Sequence, residues 1–490
     1  MNFLFKFTPA AVVATLLSFN CTQAQTLIDH QQLGSTSKQV LEAQAFFAGG
    51  AFDIKYGIDF YKITYETPGV NGGVDTASGM VVFPTVTNCD DGLTMAAYEH
   101  GTVLRKSNVP SRDNGEATLG KVMAGIGMVT VMPDYLGLGD APGFHPYVHA
   151  ESQATATLDA FRAARDLADV LNVNLNGDVL LTGYSQGGHA ALATHKYVET
   201  NNLTAEFAIL GSAPCSGPYD MSGVQTEPIV QGAAYDTPGY VIYLLNGYNT
   251  AYGNLYDSVQ EVLQPQFHAT VPPLLDGNSS LDDLNNALPQ EIDSFLTADF
   301  LTNFRAAQQS GNHPMWQNLA DNDLYDWVPD AGVRMFYCTQ DEQVFYQNSL
   351  VARDAFRQNG AADVSAINRG AQNHGGCLVP ALSGVAAYFD SLLVICGEPV
   401  IEDTGVFVQN RKAGESSMTL YPNPAQTYFQ LKTDQTADVE IFDAAGRHML
   451  SLFRVSAGRQ IAVNTLAEGT YFVRVTPRDS APEVLKLIKR

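Results

Sequence analysis

The chain has 490 residues, 45% of them hydrophobic and 16% charged, with a formal net charge of −24. This is too apolar for a disordered chain and long enough for roughly two to four domains. The charge is uneven: residues 25–414 hold 17 basic against 43 acidic residues, and residues 415–490 hold 9 against 8. So acidic a body excludes electrostatic binding of nucleic acid or anionic lipid.

In residues 1–24, Lys6 precedes an apolar stretch, Ala10–Phe19, and Thr22-Gln23-Ala24 offers small residues for a signal peptidase. This reads as a cleaved secretory signal peptide. The apolar stretch is too short for a transmembrane anchor, and no later run approaches the ~20 apolar residues of a span. Cleavage leaves Cys89, Cys215, Cys338, Cys377 and Cys396, which allow at most two disulfides and one unpaired thiol in an exported protein. The sequence leaves the connectivity open. There is no CxxC motif, so no structural metal is expected.

Two β-rich runs, Tyr56–Thr67 and Asp75–Thr85, flank Gly72-Gly73 and read as a hairpin. A strand at Leu93–Tyr98 leads into Glu99-His100-Gly101-Thr102. A helix at Gly115–Ile126, a strand at Met128–Asp134 and a loop at Tyr135–His149 follow. The next segment, Glu151–Leu171, repeats apolar residues at three- and four-residue steps and predicts a long amphipathic helix. A strand at 178–182, a helix beyond Gln186 and an apolar run at Phe207–Gly211 continue the alternation. Residues 214–330, rich in Tyr, Phe, Asn and Pro, break it and read as an inserted, mostly helical cap. Alternation resumes with a strand at Val333–Cys338, a helix at Phe345–Gln358, a strand at Asp363–Asn368 and a helix at Leu378–Leu393. Strands alternating with helices imply an α/β fold with a doubly wound, mainly parallel sheet whose ligands bind beyond the carboxyl ends of the strands. Residues 397–417 read as a linker. Residues 418–490, with short alternating strands at near-regular spacing, read as a small all-β sandwich.

The informative motif is Gly183-Tyr184-Ser185-Gln186-Gly187, between the apolar run Val179–Thr182 and a helix-forming run. A serine hydroxyl attacks only if a tight turn exposes it and a base takes its proton. The base and its orienting acid should follow in the order acid, histidine, each after a later strand. Asp341 and His374 fill those places, with Glu342, Asp220 and Asp236 as other candidates for the acid. His189 and His195 read as structural, and His145 and His149 as packing at the site rim. The oxyanion that forms on attack needs preorganised N–H groups. Gln186 supplies one at a helix start. The second is expected from Thr102, with Gly101 as the alternative. This makes a serine hydrolase the reading of the residues, and a non-catalytic surface or adhesion protein with a dead hydrolase fold its rival.

Glu99-His100-Gly101, Pro133–Gly139, His145-Pro146-Tyr147, Gly183–Gly188, Asn322–Trp327, Asp341–Val344 and His374-Gly375 resemble the α/β-hydrolase superfamily, and within it the secretory lipases and esterases. The resemblance implies a catalytic domain at 25–396, with the cap insertion over an apolar acyl pocket. It also implies hydrolysis of carboxylic esters, either small molecules or lipids, without a cofactor. A serine peptidase of the same fold is the alternative activity. The family usually has glycine three residues before its aspartate, where this chain has Cys338. Leu420–Pro424, Val439–Arg447, Leu466–Val475 and the terminal Lys486–Arg490 resemble the type A sorting domain of the type IX secretion system. That resemblance implies recognition by the secretion machinery and an extracellular or surface location.

Overall fold

The computed structural model describes residues 26–47, 52–86, 89–393, 396, 418–432, 436–443, 448–456, 458–464, 466–477 and 483–490. The expected signal peptide and the expected linker lie outside the described residues.

The chain opens with β1 (Leu27–Thr36) and α1 (Lys38–Phe47), followed by the hairpin strands β2 (Ile58–Pro68) and β3 (Val74–Pro84). Then come β4 (Leu93–Glu99), α2 (Ala117–Ile126), β5 (Val129–Pro133), α3 (Ala150–Leu171), β6 (Leu175–Tyr184), α4 (Gln186–Thr200) and β7 (Ala208–Cys215). These nine-strand-sheet members are completed, after a helical excursion, by β8 (Gly332–Tyr337) and β9 (Val364–Asn368). The strand order is β1-β2-β3-β5-β4-β6-β7-β8-β9. The β1–β2, β2–β3 and β3–β5 pairs are antiparallel, and every pair from β5 to β9 is parallel.

Both faces of this sheet are covered, because side chains alternate between them. On β3, Met80 and Val82 pack with α1 and α2, whereas Val81 and Phe83 pack with α3. On β6, Leu180 joins the first group, and Val179 and Leu181 the second. The expected fold class is therefore present. β1 is an element that the sequence reading lacked. It is an edge strand, Leu27-Ile28-Asp29-His30-Gln31-Gln32-Leu33, mostly exposed, so it carries no apolar alternation to read.

The excursion between β7 and β8 holds α5 (Glu227–Gln231), α6 (Gly239–Tyr252), α7 (Leu281–Asn286), α8 (Ala298–Ala306) and α9 (Pro314–Asp321) with short 3-10 turns. It has its own core, including Ile242, Leu263, Phe295, Phe304 and Trp316. The helical reading of this stretch holds, but β7 runs to Cys215, so its first two residues belong to the sheet. After β8 come α10 (Gln347–Gln358), β9 and α11 (His374–Asp390). α11 begins four residues before the expected Leu378. Gly375, Gly376 and Pro380 read as helix breakers, but the Asn373 side chain accepts the Gly376 N–H at 2.9 Å and caps the helix.

The C-terminal strands are β10 (Thr419–Tyr421), β11 (Tyr428–Lys432), β12 (Ala437–Asp443), β13 (His448–Val455), β14 (Gln460–Ala462), β15 (Gly469–Pro477) and β16 (Glu483–Lys489). They form a three-stranded sheet, β10-β11-β14, and a four-stranded one, β13-β12-β15-β16. Phe429, Leu431 and Ile461 of the first share a core with Val439, Ile441, Val473 and Leu487 of the second. That is a two-layer all-β sandwich. Among the described residues, no helix is long and apolar enough to cross a membrane.

Candidate active site

β4, β6, β8 and β9 all end on the same edge of the sheet, and the residues singled out from sequence follow directly after them. Ser185 stands between β6 and α4 with φ 60° and ψ −121°. This left-handed backbone costs a non-glycine residue on the order of 1–3 kcal/mol. The crossing is tight enough to require glycine on both sides. A Cβ on Gly183 would lie 2.3 Å from the Gly187 carbonyl oxygen, and one on Gly187 would lie 1.9 Å from the Glu99 carbonyl oxygen. The Ser185 N–H donates to the Cys215 carbonyl at 2.9 Å, tying the turn to β7.

The Ser185 hydroxyl is 2.9 Å from His374 Nε2, and His374 Nδ1 is 2.9 and 2.8 Å from the two carboxylate oxygens of Asp341. All three residues are buried. The Val344 N–H, at 2.9 Å, and the Gln343 N–H donate to Asp341 Oδ1 and orient the carboxylate. With an ionised Asp341, Nδ1 carries the proton and Nε2 is left to accept the serine proton. Glu342 faces elsewhere and accepts the His374 backbone N–H at 3.0 Å. Asp220 accepts the Val224 N–H and the Tyr325 hydroxyl, and Asp236 accepts from Gln290, so neither approaches the histidine. The Tyr184 hydroxyl donates to the His374 carbonyl.

Gln186 is the first residue of α4, so its N–H has no helical carbonyl to meet. The His100–Thr102 loop lies against the elbow, with the Cβ direction of Gly101 3.9 Å from Ser185 Cβ. The Gly101 N–H is taken by Glu116 Oε2 at 2.9 Å, and no protein group among the described residues accepts the Thr102 N–H. Of the two candidates in this loop, Thr102 therefore has the free donor.

Sequence reasoning missed the roles of three supports of this arrangement, reading His145 only as packing at the site rim. Glu116 is one. His145 is the second: its Nδ1–H donates to the Leu136 carbonyl at 2.7 Å, and its Nε2 accepts from the Gln186 side-chain amide at 2.7 Å. Burial pushes its imidazole down to about 3, so it stays neutral and keeps that acceptor. Glu99 is the third, fully buried beneath the elbow, and burial pushes its carboxyl up to about 8. The Thr157 hydroxyl lies 2.7 Å from Glu99 Oε1 and 2.8 Å from the Gln153 carbonyl. His149 caps α3, while His189 contacts Gln153 and Asn322 and His195 contacts Ser212 and Glu199, as structural histidines do.

A partly open, mainly apolar pocket lies at Ser185 and Gln186. Its walls come mainly from the excursion between β7 and β8, including Met221, Ile229, Tyr235, Tyr240, Leu244 and Ile292. Tyr147 reaches in from before α3, its hydroxyl 2.9 Å from Thr102 Oγ1. None of the wall residues from the excursion was readable from sequence, since that stretch has no period that fixes which side chains face inward.

Of the five cysteines beyond the expected signal peptide, Cys89 pairs with Cys396 and Cys338 with Cys377, and Cys215 is a buried free thiol. The connectivity that the sequence left open is thus two bridges and one remainder.

The nine-stranded sheet, the nucleophile elbow and the ordered serine, aspartate and histidine define an α/β-hydrolase. Residues 118–387 match the family model for secretory lipases, and the chain belongs to that family. Residues 419–490 match the secretion system C-terminal sorting domain. Among solved structures, the chain is similar to a ligand-bound rice cell wall degrading esterase, LipA, from Xanthomonas oryzae. The two share 30% identity with a TM-score of 0.68, over 75% of this chain and 98% of that one. A putative hydrolase from Legionella pneumophila is 25% identical with a TM-score of 0.68, over 75% of this chain and 98% of that one. Candida antarctica lipase A in its closed state shares the fold at 16% identity and a TM-score of 0.54, over 77% of this chain and 85% of that one. The comparison with curated proteins gave no match.

Proposed function

We propose that the chain is an exported serine hydrolase of carboxylic esters. The observation that carries this reading is the unbroken hydrogen-bond path from the Ser185 hydroxyl through His374 to Asp341. Ser185 Oγ attacks the ester carbonyl as His374 Nε2 takes its proton, and Asp341 holds the imidazole and stabilises its positive charge. The carbonyl oxygen, now negative, receives the Gln186 and Thr102 N–H groups. His374 returns the proton to the departing alkoxide, leaving an acyl-serine. A water molecule, deprotonated by His374 in the same way, then releases the acid. The cavity lined by Met221, Ile229, Leu244 and Ile292 is suited to an uncharged acyl chain. Membership in the secretory lipase family and the likeness to an esterase support the same activity.

Export rests on the signal-like N-terminus and on the C-terminal sorting domain, which we read as the part that engages a type IX secretion machine. The body at 25–396, the linker at 397–417 and the sandwich at 418–490 are then separate working units. The test is Ser185→Ala. It should abolish turnover of p-nitrophenyl esters, from acetate to palmitate, with the circular dichroism unchanged. An aminoacyl-prolyl anilide serves as the peptidase control. Ester turnover retained by Ser185→Ala would overturn the proposed mechanism.

A further inference from the structure

Cys338 follows β8 directly and lies three residues before Asp341, and Cys377 lies three residues after His374 in the first turn of α11. The Cys338–Cys377 disulfide thus joins the strand end that carries the acid to the helical turn that carries the base, with a Cα–Cα distance of 5.8 Å. Positions 374 and 377 are one turn apart, hence on one face of the helix. The turn between them is Gly375-Gly376, a residue type that holds a helix less well than any but proline, and a Cβ at Gly375 would meet nothing within 4 Å. Beyond the triad contact, the polar ties between these two segments among the described residues are few: His374 N–H to Glu342, the Thr339 N–H and hydroxyl to the Gly370 carbonyl and Arg369 N–H to the Tyr337 carbonyl. Both cysteines are fully buried, in the same apolar cluster as Phe336 and Leu382.

We propose that the Cys338–Cys377 disulfide is a positioning element of the hydrolytic site, holding His374 at hydrogen-bonding distance from Asp341 and Ser185. This rests on the function proposed above. The link forms when two thiols give up two protons and two electrons to an external disulfide-type oxidant, which is reduced to thiols. Full turnover is therefore reached only in an oxidising compartment. The second bridge, Cys89–Cys396, joins a residue before β4 to one beyond α11. It touches none of the three catalytic candidates and serves as the internal control.

Cys338→Ala with Cys377→Ala is compared with Cys89→Ala with Cys396→Ala, wild type and Ser185→Ala, at a temperature where circular dichroism shows each folded. The first pair should lower kcat for a p-nitrophenyl ester at least tenfold with KM within twofold. It should slow labelling of Ser185 by a fluorophosphonate to a similar degree. The control pair should keep kcat within twofold. A first pair with kcat within twofold of wild type overturns the inference, as does an equal loss in both pairs. Should the first pair not fold, wild type is reduced with a dithiol, which leaves as its cyclic disulfide. Thiols at Cys338 and Cys377 are then counted by alkylation and mass spectrometry. Activity falling with the appearance of those thiols while near-ultraviolet dichroism persists upholds the inference. Activity that survives their reduction, or that falls only with the dichroism, overturns it. If Ser185→Ala turns over like wild type, the functional reading itself falls. If it is inactive and the cysteine pair is not impaired, only the positioning role falls.

Discussion

Replacing Glu116 with alanine removes the carboxylate that receives the Gly101 N–H at 2.9 Å. A hydrogen bond to a charged acceptor contributes about 1.5–3 kcal/mol. Glu116 is half-buried, so solvent screening places the value at the lower part of that range. The freed amide finds water, and the His100–Thr102 loop samples positions in which the Thr102 N–H misses the oxyanion. Each 1.4 kcal/mol of lost transition-state stabilisation is about tenfold in rate. The expected loss in kcat is therefore about tenfold, below the ~10²–10³ that removal of an oxyanion donor costs. KM should change by less than about twofold, since the contact matters once charge develops. Glu116→Gln keeps an oxygen acceptor and should recover most of the rate. Steady-state kinetics on p-nitrophenyl butyrate reads all three proteins. A Glu116→Ala enzyme with wild-type kcat would refute the positioning of Thr102 by this carboxylate, and so would a Gln variant as impaired as the Ala one.

Glu99, pushed up to about 8, binds a proton in the folded chain that the unfolded chain releases near its ordinary 4.5. Its effect on stability is thus most favourable below about 4.5, and declines as pH rises towards about 8, by at most ~1.4 kcal/mol per unit. Glu99→Gln mimics the protonated form, so the melting temperature of the variant minus that of wild type should increase from pH 5 to pH 8. A difference independent of pH would show that Glu99 is ionised when folded. Gly187→Ala drives a methyl group to 1.9 Å from the Glu99 carbonyl, where backbone cannot give way, and should destabilise by about 3 kcal/mol or more. Gly73→Ala, with nothing within 4 Å, should melt within about 1 °C of wild type, at the scale of surface substitutions. Removing residues 419–490 should leave ester turnover of the purified protein intact and abolish its release from a host with a type IX machine. Release of the truncated chain would remove the sorting role.

What could be read from sequence follows from how local its cause is. The elbow was legible because strand, turn and helix are consecutive and the glycine spacing reflects a clash that recurs in every such crossing. The order of Ser185, Asp341 and His374 was legible because each follows its own strand. α11 was placed late because Gly375, Gly376 and Pro380 carry poor helix propensity, which the Asn373 cap and tertiary packing override. Glu116, His145 and the cysteine pairing are contacts between distant segments, and no periodicity encodes which distant partner a side chain meets. The pocket walls were hidden for the same reason, within a stretch whose short helices and 3-10 turns lack a sustained repeat.

The helical excursion leaves the sheet after β7 and returns at β8, and these two strands are paired neighbours, with Ser212 opposite Val333. Because β7 and β8 run parallel, the chain leaves at the carboxyl edge of the sheet and crosses back to the opposite edge before β8, so the sheet fixes where the excursion begins and where it ends. Ser185, Asp341 and His374 all belong to the frame, whereas most of the pocket wall beside Ser185 belongs to the excursion. Substitutions in the excursion can thus change the pocket lining without altering a residue of the frame. A grafted excursion from a relative should carry its donor's taste in substrates with it.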